Sequence, residues 1–185
     1  MMAGKENKTE EVVPLKNYET SGEKLPSLNR FCRKNKVKKV EEQIRQFKSK
    51  EELKSVINRP AGVLGFTALH EATSVKAAEI LRILLRNEAD VNATANGGYT
   101  ALHIAASLDA KDCIKVLLEH EPDLNIEDDY KRTPFCSAQA NHNKKVSQLL
   151  KTAGYYLFYY FQHMYIHWYA SFSSYYFERN NQYPI

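Results

Sequence analysis

With 185 residues, the chain has room for one domain and its tails. Three cysteines, Cys32, Cys113 and Cys136, are an odd number and exclude a disulfide framework; they read as small buried hydrophobes of a cytosolic or nuclear chain. A formal net charge of +4 conceals an uneven distribution: residues 24–59 hold 12 Lys and Arg against 4 Asp and Glu, whereas residues 60–154 hold 10 against 12.

Residues 1–24 are polar, with Gly, Pro and mixed charge, and read as a disordered leader. Lys5, Glu6, Lys8, Glu10 and Glu11 leave no apolar core, so no signal peptide is expected. Leu28, Phe31, Cys32, Val40 and Ile44 then fall at helical spacing and predict a helix pair over residues 25–47. This stretch carries Arg33, Lys34, Lys36, Lys38 and Lys39. The basic run fits a nuclear import signal or a nucleic-acid contact; it equally fits the solvated face of a terminal helix on which Glu41 and Glu42 follow. Phe47 to Gly65 reads as a long loop.

From residue 67 a motif returns every 33 residues: Thr67-Ala68-Leu69-His70, Thr100-Ala101-Leu102-His103 and Thr133-Pro134-Phe135-Cys136. Each Thr precedes an apolar helical pattern and is a candidate N-cap. Pro134 stands at the first helical position, where a missing N–H costs nothing. Ala72, Ala105 and Ala138 allow close helix packing. Second helices are apolar at 80, 81, 83 and 84 and again at 113, 114, 116 and 117. One such unit cannot bury its apolar face alone, so neighbours must stack.

The period and the motif resemble the ankyrin repeat family over roughly residues 25–154. The resemblance implies an all-α solenoid of helix-turn-helix units with hairpin fingers. Its units would be a divergent capping repeat over 25–65, repeats over 66–98 and 99–131, and a partial one over 132–154. The family's helix-ending Gly is replaced by Glu88 and Glu121 and kept at Gly154; the finger Gly of Gly65 and Gly98 is replaced by Lys131. A left-handed residue that carries a side chain costs on the order of 1 kcal/mol. The third copy should therefore be the loosest.

Residues 155–185 leave the pattern. They hold 14 of the 21 aromatic residues, and none of residues 152–177 is Lys, Arg, Asp or Glu. Three readings stand side by side. The segment could lie on a membrane surface, since Tyr and Trp favour the interface. It could cap the open end of the stack. Or it could be intron read-through or an alternative terminal exon, with a longer isoform carrying further repeats, since Tyr, Phe, Ile, Asn and Met come from A/T-rich codons.

No catalytic constellation is present, and no cofactor is expected. His70-Glu71 would open a zinc-protease motif only with His at 74, which is Ser74. His70 and His103 recur at the repeat period and read as structural. His163 and His167 share a helical spacing but lack a third ligand. Asn96-Gly97-Gly98 reads as a hairpin turn. What the resemblance implies instead is a monomeric, non-catalytic module of the cytoplasm or nucleus that binds a protein on the concave face made by finger tips and first helices. Carried over from the motif, that face would show Phe66, Val75, Tyr99, Leu108, Tyr130 and Arg132. Aromatic residues and Arg are enriched among binding hot spots. The alternative is a nucleic-acid or chromatin-associated protein that uses the basic N-terminal cap.

Overall fold

The computed structural model describes residues 27–154, which form nine helices and no strand. In chain order these are α1 (Ser27–Arg33), α2 (Val37–Arg45), α3 (Lys50–Ile57), α4 (Ala68–Ser74), α5 (Ala78–Arg86), α6 (Ala101–Ser107), α7 (Lys111–Leu118), α8 (Pro134–Ala140) and α9 (residues 144–154). The inner helices pack in series, α1 on α4, α4 on α6 and α6 on α8. The outer helices α2, α5 and α7 pack in a second series, each also against the inner helix before it. The expected all-α solenoid is what forms.

The repeated residues build this stack locally. Thr67, Thr100 and Thr133 hold extended backbone and each begins an inner helix; the Thr100 and Thr133 hydroxyls accept from the N–H groups of His103 and Cys136. Inner helices stop after two turns because the chain then turns left-handed, at Asn35, Lys76, Asp109 and His142, the last three 33 residues apart. Ala72, Ala105 and Ala138 are fully buried, which lets neighbouring inner helices approach closely. On the outer helices Ile80, Leu81 and Leu84, then Cys113, Ile114, Val116 and Leu117, are buried. Burying each larger aliphatic side chain contributes about 1.5–3 kcal/mol. Together these residues form one continuous core from Leu28 to Leu150.

The segment between α2 and the first repeat departs from the expected long loop. Ser49 caps α3, its hydroxyl accepting from the Glu52 N–H at 3.1 Å. Leu53, Val56 and Ile57 follow at helical spacing, and Ile57 is fully buried. Asn58, after the helix, donates to the Glu88 carbonyl and accepts from the Asp90 N–H at 2.7 Å, tying the segment to the first repeat. Only Ala61 to Phe66 makes the finger, closed by reciprocal backbone bonds of 2.9 and 3.1 Å.

Fingers lie side by side. The Asn96 N–H donates to the Leu64 carbonyl at 2.9 Å and the Asp129 N–H to the Gly97 carbonyl at 3.0 Å. Gly98 is required at this approach: a Cβ there would lie 3.0 Å from Asp128 Cα, and its φ is +74°. The positions where the family's Gly is missing are strained as expected, with φ of 64° at Glu88, 49° at Glu121 and 60° at Lys131. Glu121→Gly should raise stability by about 0.5–1 kcal/mol, read from the urea midpoint. No change would mean that the lost unfolded-chain restriction offsets the relieved strain.

The third copy buries less than its neighbours. Helices α4 and α6 each bury six residues, whereas α8 buries Pro134, Ser137 and Ala138. Amide hydrogen exchange should be fastest over 133–151 within the stack, and best protection there would refute the ranking.

One cysteine departs from expectation. Cys32 and Cys113 are buried, and burial pushes their thiols up to about 12 and about 11. Cys136 is exposed, because it occupies the position from which His70 and His103 reach the following finger. A disulfide reagent should therefore label Cys136 rapidly in the folded chain, and Cys32 and Cys113 only at the rate of unfolding. Rapid labelling of a Cys136→Ser variant would refute this.

Candidate protein-interaction face

The side chains of interest hang on a framework of two histidines. His70 Nε2 lies 3.0 Å from the Tyr99 carbonyl oxygen, and His103 Nε2 2.9 Å from that of Arg132. A carbonyl can only accept, so Nε2 carries the proton in both rings. Nδ1 is then the acceptor, and it receives the N–H of the capping Thr at 3.2 Å and its hydroxyl at 2.9 Å. Burial pushes His70 down to about 4 and also lowers His103, so both rings are neutral at pH 7. Each inner helix is thereby fastened to the finger of the next unit.

Fingers and inner helices form one face, on which the carried-over residues differ in access. Phe66 is a correction: it is 5% exposed and cannot contact a partner. Its ring stacks on His70 at 5.5 Å and packs with Ala95 and Ile104, since its own finger folds it inward. Leu108 is half-buried against the same cluster. Val75, which ends α4, is 36% exposed. Tyr130, at the third finger tip, is 62% exposed.

Tyr99, Tyr130 and Arg132 come together through a residue that the sequence reading missed. Asp128 is buried; its Oδ1 accepts from the N–H groups of Tyr130 and Arg132, both at 2.9 Å. Its Oδ2 accepts from Arg132 Nε, also at 2.9 Å. The Arg132 guanidinium lies 4.8 Å from the Tyr130 ring centroid and donates through Nη2 to the Tyr99 hydroxyl at 3.2 Å. Burial alone would lower the Arg132 pKa, but the bond to Asp128 outweighs it and the net shift is upward. Burial pushes the Tyr99 phenol up, so it stays protonated. The local signal for Asp128 was an Asp two residues before Tyr130, a side chain that bonds its own turn.

The basic cap also changes membership. Arg33 does not belong to a free cationic patch: its Nε and Nη2 donate to Glu71 at 2.8 and 2.6 Å, and Glu71 is fully buried. Lys34, Lys36, Lys38 and Lys39 are exposed. Lys39 and Arg30 lie over the Phe31 ring at 5.5 and 5.7 Å.

Among the described residues no group of His, Cys, Asp and Glu is arranged to hold a metal, and no helix is long and apolar enough to cross a membrane. A cavity of about 360 Å³ opens beside α8 and α9, lined by Phe135, Gln139, His142, Lys144, Ser147, Gln148 and Lys151. The pair His163 and His167, the leader and the aromatic tail lie outside the described residues.

Comparison with curated proteins yields no match. The family model for ankyrin repeats matches residues 69–157 in three copies. Repeats of this family are generally protein–protein interaction modules and typically non-catalytic. With a 33-residue period, capped inner helices, paired outer helices and laterally bonded fingers over the matched stretch, the chain belongs to the ankyrin repeat family.

Proposed function

We propose that the chain is an adaptor that binds a protein partner on the face made by its fingers and inner helices. Tyr130 and Arg132 form the centre of the contact, with Tyr99, Leu108 and Val75 around them. The observation that carries this reading is the Asp128–Arg132–Tyr99–Tyr130 cluster. Arg132 is fixed by three side chains before any partner arrives, so little side-chain entropy is lost on binding. Tyr and Arg are also the residue types that dominate interface energetics. Truncating a centre residue of this kind costs about 2 kcal/mol or more of binding, roughly thirtyfold.

The test is affinity capture with the full chain and with a Tyr130→Ala/Arg132→Ala variant, each checked for helical content. Loss of a captured protein by the folded variant supports the reading. Equal capture by both removes this face as the contact.

A second reading is nucleic-acid binding through the cap. It is favoured by the exposure of Lys34, Lys36, Lys38 and Lys39 and weakened by the pairing of Arg33. Salt separates the two. Phosphate contacts make affinity fall steeply with salt, by about one power of concentration per contact. An interface centred on Tyr and Arg falls much less.

A further inference from the structure

We propose that Tyr130 is a phosphorylation site for a protein tyrosine kinase, and that its phosphate resets the charge of the finger face; this second part rests on the function proposed above. Three observations meet at this residue. First, access: Tyr130 is 62% exposed at a finger tip, whereas Tyr99 is half-buried and its hydroxyl accepts from Arg132. Second, the third finger is held laterally on one side. The Asp129 N–H donates to the Gly97 carbonyl, and no further finger follows it among the described residues. A segment with few neighbours opens locally at low cost, as a kinase cleft demands. Third, the flanks: exposed Glu127 and Asp129 stand three and one residues before Tyr130, and Lys131 follows. A kinase whose peptide groove is basic would be steered to this tip by charge complementarity.

The chemistry balances with Mg–ATP as co-reactant. The Tyr130 hydroxyl oxygen attacks the γ-phosphorus, and the bond from that phosphorus to the β,γ-bridging oxygen breaks. ADP leaves with the electron pair, and the phenolic proton passes to the general base of the kinase. The product adds about −1.5 to −2 charges beside Glu127 and Asp129. It also places three acceptor oxygens on the ring over which Arg132 already lies, so phosphate and Asp128 then compete for one guanidinium. A partner that approaches with acidic groups would be repelled.

The experiment treats the folded full chain with a tyrosine kinase of acidic-substrate preference and Mg–ATP. Mass spectrometry then follows the peptides that contain Tyr130 and Tyr99 separately. Phosphate is expected on Tyr130 in the native chain and on Tyr99 only after unfolding in urea and dilution into the assay. Tyr130→Phe should abolish the label on that peptide and leave the urea midpoint unmoved. A synthetic peptide spanning residues 124–135 serves as reference. Labelling of the peptide without labelling of native Tyr130 would overturn the proposal, because the finger would then protect the residue. Labelling of neither, or of native Tyr99 equally, would overturn it as well. None of these results bears on whether the unmodified face binds a partner, which the Tyr130→Ala/Arg132→Ala capture decides by itself.

Discussion

Arg33→Ala should destabilise the fold by about 3–5 kcal/mol, the largest single-residue effect expected outside the aliphatic core. Glu71 has no exposed surface, and Arg33 meets its two oxygens at 2.6 and 2.8 Å. Removing the guanidinium strands a carboxylate on α4, in the layer where α1 packs on α4. The loss is more than a surface pair would give, because an exposed pair contributes about 0–1 kcal/mol. The paired replacement Arg33→Met with Glu71→Leu should recover most of the loss, since desolvation of both charges is relieved together. Urea unfolding of the two variants checks this; equal loss in both would mean that packing at α1, not the stranded charge, governs stability.

Acid should loosen the stack before it reaches the ordinary carboxylate range. The folded His70 pKa, about 4, lies below the unfolded value of 6.5. The unfolded chain therefore binds a proton that the folded chain refuses, and stability present above pH 6.5 is lost as pH falls towards 4. The shift of about 2.5 units corresponds to about 3 kcal/mol. His103 is shifted in the same direction and adds to the loss. Urea midpoints across this range, together with the ring-proton shift of His70 followed by NMR, test the assignment. A His70 midpoint near 6.5 in the folded chain would overturn it.

The stack was legible because its signals repeat. Three Thr caps, three small Ala positions and two outer-helix patterns at one offset leave little freedom in register. The site was less legible, for physical reasons that differ by residue. Phe66 and Tyr99 occupy the same motif position, yet Phe66 is buried and Tyr99 half-buried. Tyr99 has Arg132 as a polar partner one repeat later, whereas Phe66 has only apolar neighbours and folds onto them. Arg33 looked like one more member of a cationic run, because its partner Glu71 lies 38 residues away and belongs to another helix. Helix α3 was hidden by its length: eight residues with one apolar cluster are hard to tell from a loop.

The histidine bonds have a consequence for how such a surface can change. His70 and His103 hold the backbone oxygens of Tyr99 and Arg132, the residues whose side chains help form the proposed contact. A carbonyl oxygen is the same atom whatever side chain follows it. The fastening is thus indifferent to the identity of the residue it fastens. Substitution at 99 or 132 can rewrite what the face recognises while the units stay in register, so specificity and architecture are free to vary separately.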